Sequence, residues 1–319
     1  MQHKIEKIPI GDIDTGDDTY RITTDTSTGA LEASIRRLGL LNPPVLLKTT
    51  SGFSPVSGFR RIRACEKLGR ESVGSRVLAE KYPVCKCAMI AICENSMQRA
   101  LNLVEMSRAL NMLSAHVSDV PTRLRIALDL GLPNNARYME KVASLSGLPG
   151  NVKDAVIDES VSLSMALALA CMAPEESTIL CTLFCDLKIG LNKQQEMFTL
   201  INEISAREDI SIPSLLSDTD FYSIRTNPDF DRTRKRQAIR NYLKQRRYPN
   251  ISKSQERFEA YKQRLNLGHS IKLEPPPYFE GKDYGLKFRF SNLSELKTHT
   301  STLCDLVENP DLEKMMTRS

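Results

Sequence analysis

Hydrophobic positions in the first hundred residues switch between two periods. Ile5, Ile8 and Ile10 open the chain with a strand-like spacing. Leu31, Ile35 and Leu38 then recur at i, i+4 and i+7, one face of a helix, and Gly39 follows where a left-handed residue closes such a helix. After Pro43-Pro44, residues 45–47 read as a strand, Ser51-Gly52 as a turn and residues 53–56 as the returning strand. Gly58 leads into a second helix bearing Ile62, Cys65 and Leu68, ended by Gly69, and a further strand is predicted over 84–92. Residues 1–95 thus form a small α/β unit.

From Ser96 to about Arg207 the period is helical, punctuated at 131–133, 147–150 and 173–174. Residues 122–130 and 134–145 flank Gly131-Leu132-Pro133, which reads either as a helix-turn-helix or as an ordinary helical hairpin. Ile126, Leu130, Met139, Val142 and Leu145 supply its apolar face, leaving Asn134, Asn135, Arg137, Tyr138 and Lys141 outward. Asn suits adenine and Arg guanine, whereas Tyr138 and Lys141 suit phosphate. Residues 205–231 have little periodicity and read as a connector, followed by helices at 232–247 and 252–267 split by Tyr248-Pro249. In the tail, 271–273 and 286–290 alternate with period two, and Asn292 with Glu295 makes a capping-box start for a helix carrying Leu296, Leu303, Leu306 and Val307. The predicted class is α+β and multidomain: 1–95 α/β, 96–207 helical, 208–267 connector with basic helices, 268–319 a ββα module. Three elements bury too little alone, so the tail is expected to pair with a second copy through Leu286, Phe288, Phe290, Leu296 and Leu303.

Charge sharpens this division. The 319 residues carry 44 basic and 39 acidic side chains, a net +5. Residues 232–264 hold twelve Lys/Arg and two acids, a local +10, so the remaining 286 residues sum to −5. Such a block suits a polyanion. Arg234, Lys235, Arg236, Lys244, Arg246 and Arg247 are therefore candidate phosphate contacts, with a solvated helix between domains as the alternative. No stretch approaches the roughly 18 apolar residues of a membrane span, and the opening Met1-Gln2-His3-Lys4 precedes no secretory apolar region, so a cytoplasmic protein is expected. Eight cysteines and four scattered histidines lack zinc spacing; Cys85 and Cys87, two apart on a strand, read as core packing.

Two motifs carry candidate chemistry. Ser57-Gly58-Phe59-Arg60-Arg61-Ile62-Arg63-Ala64 is a strand-to-helix turn with three arginines, where free N–H groups and guanidinium forks favour phosphate. The same residues also fit an exposed basic helix start pairing with Glu66. Glu94-Asn95 offers a carboxylate and an amide oxygen to a hard cation such as Mg2+, or Asn95 simply caps the next helix.

In this order the two motifs resemble the ParB family of chromosome and plasmid partition proteins, whose N-terminal domain carries Gly-Glu-Arg-Arg-x-Arg-Ala and then Glu-Asn-x-x-Arg. The helix-turn-helix and the tail extend the likeness over most of the chain. The resemblance implies that Ser57, Gly58, Arg60, Arg61, Arg63 and Ala64 grip the phosphates of CTP, with Glu94, Asn95 and Arg99 completing the site and Glu94 and Asn95 holding Mg2+. It also implies a homodimer that clamps double-stranded DNA, a nucleoid- or plasmid-associated location, and slow CTP hydrolysis as a switch. A ParA-type ATPase partner is a secondary expectation, because the chain starts almost at the strand that the family's ParA-contacting arm precedes. Phe59 replaces the family's glutamate, and Gln98 occupies its arginine position with Arg99 one place late. On a helix that shift turns the side chain by about 100°, away from the phosphates. A DNA-binding regulator without nucleotide switching is the alternative function. The same N-terminal fold resembles sulfiredoxin, but Phe59 stands where its reactive cysteine would be.

Overall fold

The structure, a computed structural model, describes residues 5–265, 267, 270–281 and 283–316. It divides into two compact units, 1–191 and 192–319.

The first unit begins with β1 (Ile5–Pro9), α1 (Gly29–Leu38), β2 (Val45–Thr49), β3 (Gly52–Ser57), α2 (Phe59–Lys67) and β4 (Ser72–Leu78). The strands lie in the order β1-β4-β2-β3; β4 runs antiparallel to β1 and parallel to β2, while β2 and β3 form an antiparallel pair. Ile8 faces Val73 in register, and both join Ile35, Leu46, Ile62 and Cys65 in one core. Ile35 is buried but Leu38 is exposed, so the predicted stripe of α1 ends a turn early. Gly39 and Gly69 adopt positive φ where their helices stop.

Residues 84–92 are not a strand. They belong to helix α3 (Val84–Ser96), whose buried residues Cys87, Ala88, Ala91 and Ile92 follow i, i+1, i+4 and i+5. Cys85 and Cys87 therefore point about 200° apart, and of the two only Cys87 is buried. A nearly continuous apolar run concealed the period. The sheet's fourth strand is β4, inconspicuous because Ser72, Gly74 and Ser75 dilute its apolar residues.

Among the described residues of this unit the α-helices that follow are α4 (Leu103–His116), α5 (Val120–Asp129), α6 (Ala136–Ala143), α7 (Gly150–Ile157), α8 (Leu163–Ala170) and α9 (Pro174–Asp186). Polar residues start them. Asn102 and Glu105 form a reciprocal capping box on α4, while Asp119 and Asn135 accept the Thr122 and Tyr138 N–H groups at 2.8 and 2.9 Å to cap α5 and α6. Leu130, Met139, Val142 and Leu145 are buried, as the helix-turn-helix pattern requires, and Gly131 makes the turn with φ +70°.

The second unit contains α10 (Leu191–Glu208), α11 (Ile212–Leu216), α12 (Thr219–Thr226), α13 (Arg232–Arg247) and α14 (Pro249–Leu265). The stretch expected as a connector thus holds two short helices that bury Ile212, Leu215, Leu216 and Phe221. Its Ser and Asp residues are caps: Ser211 starts α11 and Asp218 starts α12. The second basic helix begins at Pro249 rather than residue 252, a position where proline's fixed φ suits a helix start. It ends at Leu265.

In the tail, β5 (Ile271–Glu274) and β6 (Gly285–Phe288) pair antiparallel with Ile271 opposite Phe288, followed by α15 (Leu293–Val307) and α16 (Pro310–Met316). Asn292 caps α15, accepting the Glu295 N–H at 2.8 Å. Phe258 and Leu265 of α14 share a core with Ile271, Leu273 and Leu306, against which Phe288 and Leu303 pack. Leu286 and Phe290 are exposed, Leu296 is half-buried, and Phe290 lies beyond the end of β6. His3 and His269 lie outside the described residues. Among the described residues no helix is long and apolar enough to cross a membrane.

Candidate functional sites: an arginine cleft and a helix-turn-helix

Gly58 turns the chain from β3 into α2 with φ +85°, and a β-carbon there would meet Pro44 Cβ at 2.7 Å. Both the backbone conformation and the space demand glycine. Gly58→Ala is expected to cost roughly 1–3 kcal/mol, the scale of strain at such positions, measurable by urea unfolding.

The turn forms one wall of a cleft of about 230 Å³ that gathers Ser57, Gly58, Phe59, Arg60, Arg61, Glu94, Asn95, Gln98 and Arg99. Two segments separated by more than thirty residues therefore meet as the paired motifs require. The buried Ser57 Oγ has no hydrogen-bond partner among the described residues and lies in this lining, a donor open to a ligand oxygen.

Each cleft arginine is held by a carboxylate. Arg61 Nη2 reaches Glu94 Oε2 at 3.1 Å and Nη1 donates to the Asn42 carbonyl at 2.9 Å. Arg60 Nη1 pairs with Asp25 at 2.9 Å, and its Nε donates to the Ser27 carbonyl at 2.8 Å. Arg99 makes a fork with Glu105, both contacts at 2.7 Å. Glu105 is fully buried and also accepts the Thr24 N–H at 2.9 Å and the Asn102 N–H at 3.2 Å. Burial alone would raise its pKa; the Arg99 guanidinium and the two backbone donors outweigh it and hold the carboxyl below the usual range.

Three expectations about these residues change. Glu94 and Asn95 sit at the C-terminal end of a helix, not before its start, and Asn102 performs the capping considered for Asn95. Asn95 Nδ2 donates to the Ala91 carbonyl at 2.8 Å, which leaves Oδ1 to act with the Glu94 carboxylate on a hard cation. Among the described residues no three His, Cys, Asp or Glu side chains cluster, so such a cation would need phosphate and water for its other positions. The 100° argument against Arg99 also lapses. Helix α3 stops at Ser96, residues 97–99 turn, and Arg99 lines the cleft beside Gln98.

Arg63 is exposed and lines a neighbouring pocket with Arg21 and Phe59, while Ala64 packs in the core. Asp25, Ser27, Asn42 and Thr24 were missed because loops carry no periodic signal. Glu105 follows the Glu-Asn motif in the chain, but nothing local marks it as the partner of Arg99.

In the helix-turn-helix, Asn134, Asn135, Arg137 and Lys141 are exposed and Tyr138 is half-buried. Asn135 uses its amide oxygen to cap α6.

The basic helix α13 is divided. Arg240 and Lys244 pair with Glu196, Arg247 with Glu203, and Arg246 with Glu208 and Asp218. Tyr242 bonds both Arg246 and Asp218, and burial followed by the Asp218 bond pushes its pKa up to about 12. Lys244, Arg246 and Arg247 thus bind acids of α10 and α12, whereas Arg234 near the start of α13 is exposed over the Phe230 ring at 4.9 Å.

The model of the ParB N-terminal domain matches residues 1–97. Residues 1–97 are thus a ParB-type N-terminal domain. The chain is 26% identical over 141 residues to stage 0 sporulation protein J of Bacillus subtilis, a match covering 44% of this chain and 47% of the relative. It thus spans about half the length of that curated relative. C-terminally truncated ParB from Caulobacter crescentus, solved with the centromeric parS site, is similar at 17% identity and a TM-score of 0.35, over 60% of this chain and 97% of that one. The same truncated protein with CTP-gamma-S matches at 22% identity and a TM-score of 0.27, over 57% and 99%. The ParB-type domain contains both motifs of the cleft.

Proposed function

We propose that this chain is a dimeric, sequence-specific DNA-binding protein of chromosome or plasmid partition that uses CTP and Mg2+ to switch between loading on a site and clamping DNA. The carrying observation is the convergence of Ser57, Gly58, Arg60, Arg61, Glu94, Asn95 and Arg99 on one cleft of a ParB-type domain. In this reading residues 1–95 bind nucleotide, 96–207 read DNA, 208–267 connect, and the ββα module at 268–319 pairs two copies through its exposed Leu286 and Phe290. Arg60 and Arg61 exchange their carboxylate partners for phosphate oxygens, Ser57 donates its free hydroxyl, and Glu94 with Asn95 holds the cation. The cation, when bound, neutralises the phosphate charge. Double-stranded DNA is the principal partner, and a ParA-type ATPase follows from the same reading. Isothermal titration with CTP and Mg2+, with and without bound DNA, tests the switch; no heat in either condition removes it.

The internal pairing of Arg60, Arg61 and Arg99 favours a second reading, a DNA-binding regulator whose cleft is a folded-in charge network without nucleotide control. Arg60→Ala separates the two, since the regulator would show unchanged residence on DNA with CTP present. On either reading Arg137→Ala is expected to cost about 1–3 kcal/mol at one base position, the range for a bidentate contact. Competition binding with single-base variants of the site measures it, and a uniform loss over all sequences would make Arg137 a phosphate contact.

A further inference from the structure

The first turns of α4 lie between the arginine cleft and the end of α6. Glu105 and Ser107, two residues apart, point about 200° from each other, and both are buried. On one side Glu105 holds Arg99 of the cleft, and Asn102 donates to Thr24 Oγ1 at 2.9 Å. On the other, Ser107 Oγ and Asn111 Nδ2 both donate to the Ala143 carbonyl, the last of α6, at 3.0 and 2.8 Å. A parallel strut leaves the Glu94-Asn95 end of α3: Ser96 Oγ donates to the Leu130 carbonyl at 2.6 Å, where the helix-turn-helix makes its turn.

We propose that Ser107 and Asn111 are positioning residues that transmit the state of the cleft to α6 through the first turns of α4. The inference rests on the nucleotide reading above. A buried carboxylate that loses its guanidinium partner must gain another donor, take up a proton or move. If a phosphate draws Arg99 away, Glu105 keeps the Thr24 N–H and hydroxyl and the Asn102 N–H but loses its charged partner, and the turn that carries it readjusts. Ser107 lies in the next turn of the same helix and Asn111 one turn further, so the readjustment reaches the α6 carbonyl without passing through solvent. Ser107→Ala with Asn111→Ala removes both donors while leaving every residue of the cleft lining in place.

The test combines isothermal titration with amide hydrogen exchange on the full chain, using CTP and Mg2+ as the probe. For the unaltered protein, CTP is expected to bind and to speed exchange of the amides at 138–143 by about fivefold, the low end of ordinary coupling between sites. The double variant is expected to bind CTP within about twofold of that affinity but to lose the response in α6. Ser96→Ala, which spares α4, is expected to keep at least half of it. Heat of binding with unchanged exchange in α6, or an undiminished response in the double variant, would overturn the transmission alone. Absence of CTP binding by the unaltered protein would overturn the nucleotide reading and the transmission with it. A double variant whose α6 amides are already fully exchanged without CTP would show these bonds to be merely structural and would also overturn the proposal.

Discussion

Arg99→Met is expected to lower the unfolding free energy of the first unit by about 2–3 kcal/mol at neutral pH. Removing one member of a buried ion pair commonly costs ~3–5 kcal/mol because the other charge is left uncompensated. Here the figure is discounted: Arg99 itself is 46% exposed, and Glu105 keeps two backbone donors. In Glu105→Gln no buried charge remains and the released Arg99 can reach water, but Thr24 and Asn102 donate to different carboxylate oxygens, so the single amide oxygen leaves one backbone N–H without its acceptor. The pH dependence distinguishes this from simple loss of packing. In the unaltered protein the Glu105 carboxyl is depressed, so its contribution is present above the ordinary glutamate value and is lost as pH falls through the depressed one. Without Arg99 two of the causes that lower it are gone, so burial is less offset, the folded-state value rises, and protonation costs the folded state less. The stability gap should be widest near pH 7 and narrow as pH falls through the variant's raised value. Urea unfolding at several pH values reads it, and a gap independent of pH would show that Glu105 does not titrate through this pair.

The same network shows what the residue pattern could and could not disclose. Gly58 and the arginines after it were legible because a strand-to-helix turn has a local signature, and Glu94-Asn95 was legible as a motif even though its surroundings were read as the wrong element. The misreading came from residues 84–92, where burial on nearly all sides erases the contrast between a strand and a helix. Long-range charge pairing was invisible for a different reason. Glu196, Glu203 and Glu208 lie about forty residues before the arginines and lysines they meet, so a count over 232–264 registered +10 without its neutralising partners. Asp218 was dismissed with a stretch that resembled a linker because its Pro, Ser and Asp residues serve as helix starts. Lys244, Arg246 and Arg247 are accordingly less available to a polyanion than the exposed Arg234 near the start of α13.

Arg61→Ala is expected to weaken CTP binding in the presence of Mg2+ by roughly 10- to 150-fold, the loss of ~1.5–3 kcal/mol typical of a hydrogen bond to a charged group. Its geometry sets it apart from the other arginines. Its side chain is only 18% exposed, it lies across the cleft from the Gly58 turn to Glu94, and the Asn42 carbonyl fixes its second nitrogen. Loss of the Glu94 pair should cost little stability, because Glu94 is 34% exposed and can be solvated. Affinity should therefore fall while the urea midpoint of the first unit barely moves. Arg61→Lys keeps the charge but not the planar fork, so its affinity should lie between the two. Arg63→Ala is the informative control. It carries the same charge and stands two residues away, but its exposed side chain lines the neighbouring pocket instead of this cleft. It should leave CTP affinity within about threefold, the residue of a screened charge at that distance. Equal losses for Arg61→Ala and Arg63→Ala in titrations at 0.15 M salt would mean that positive charge in general, not the geometry of this cleft, attracts the nucleotide.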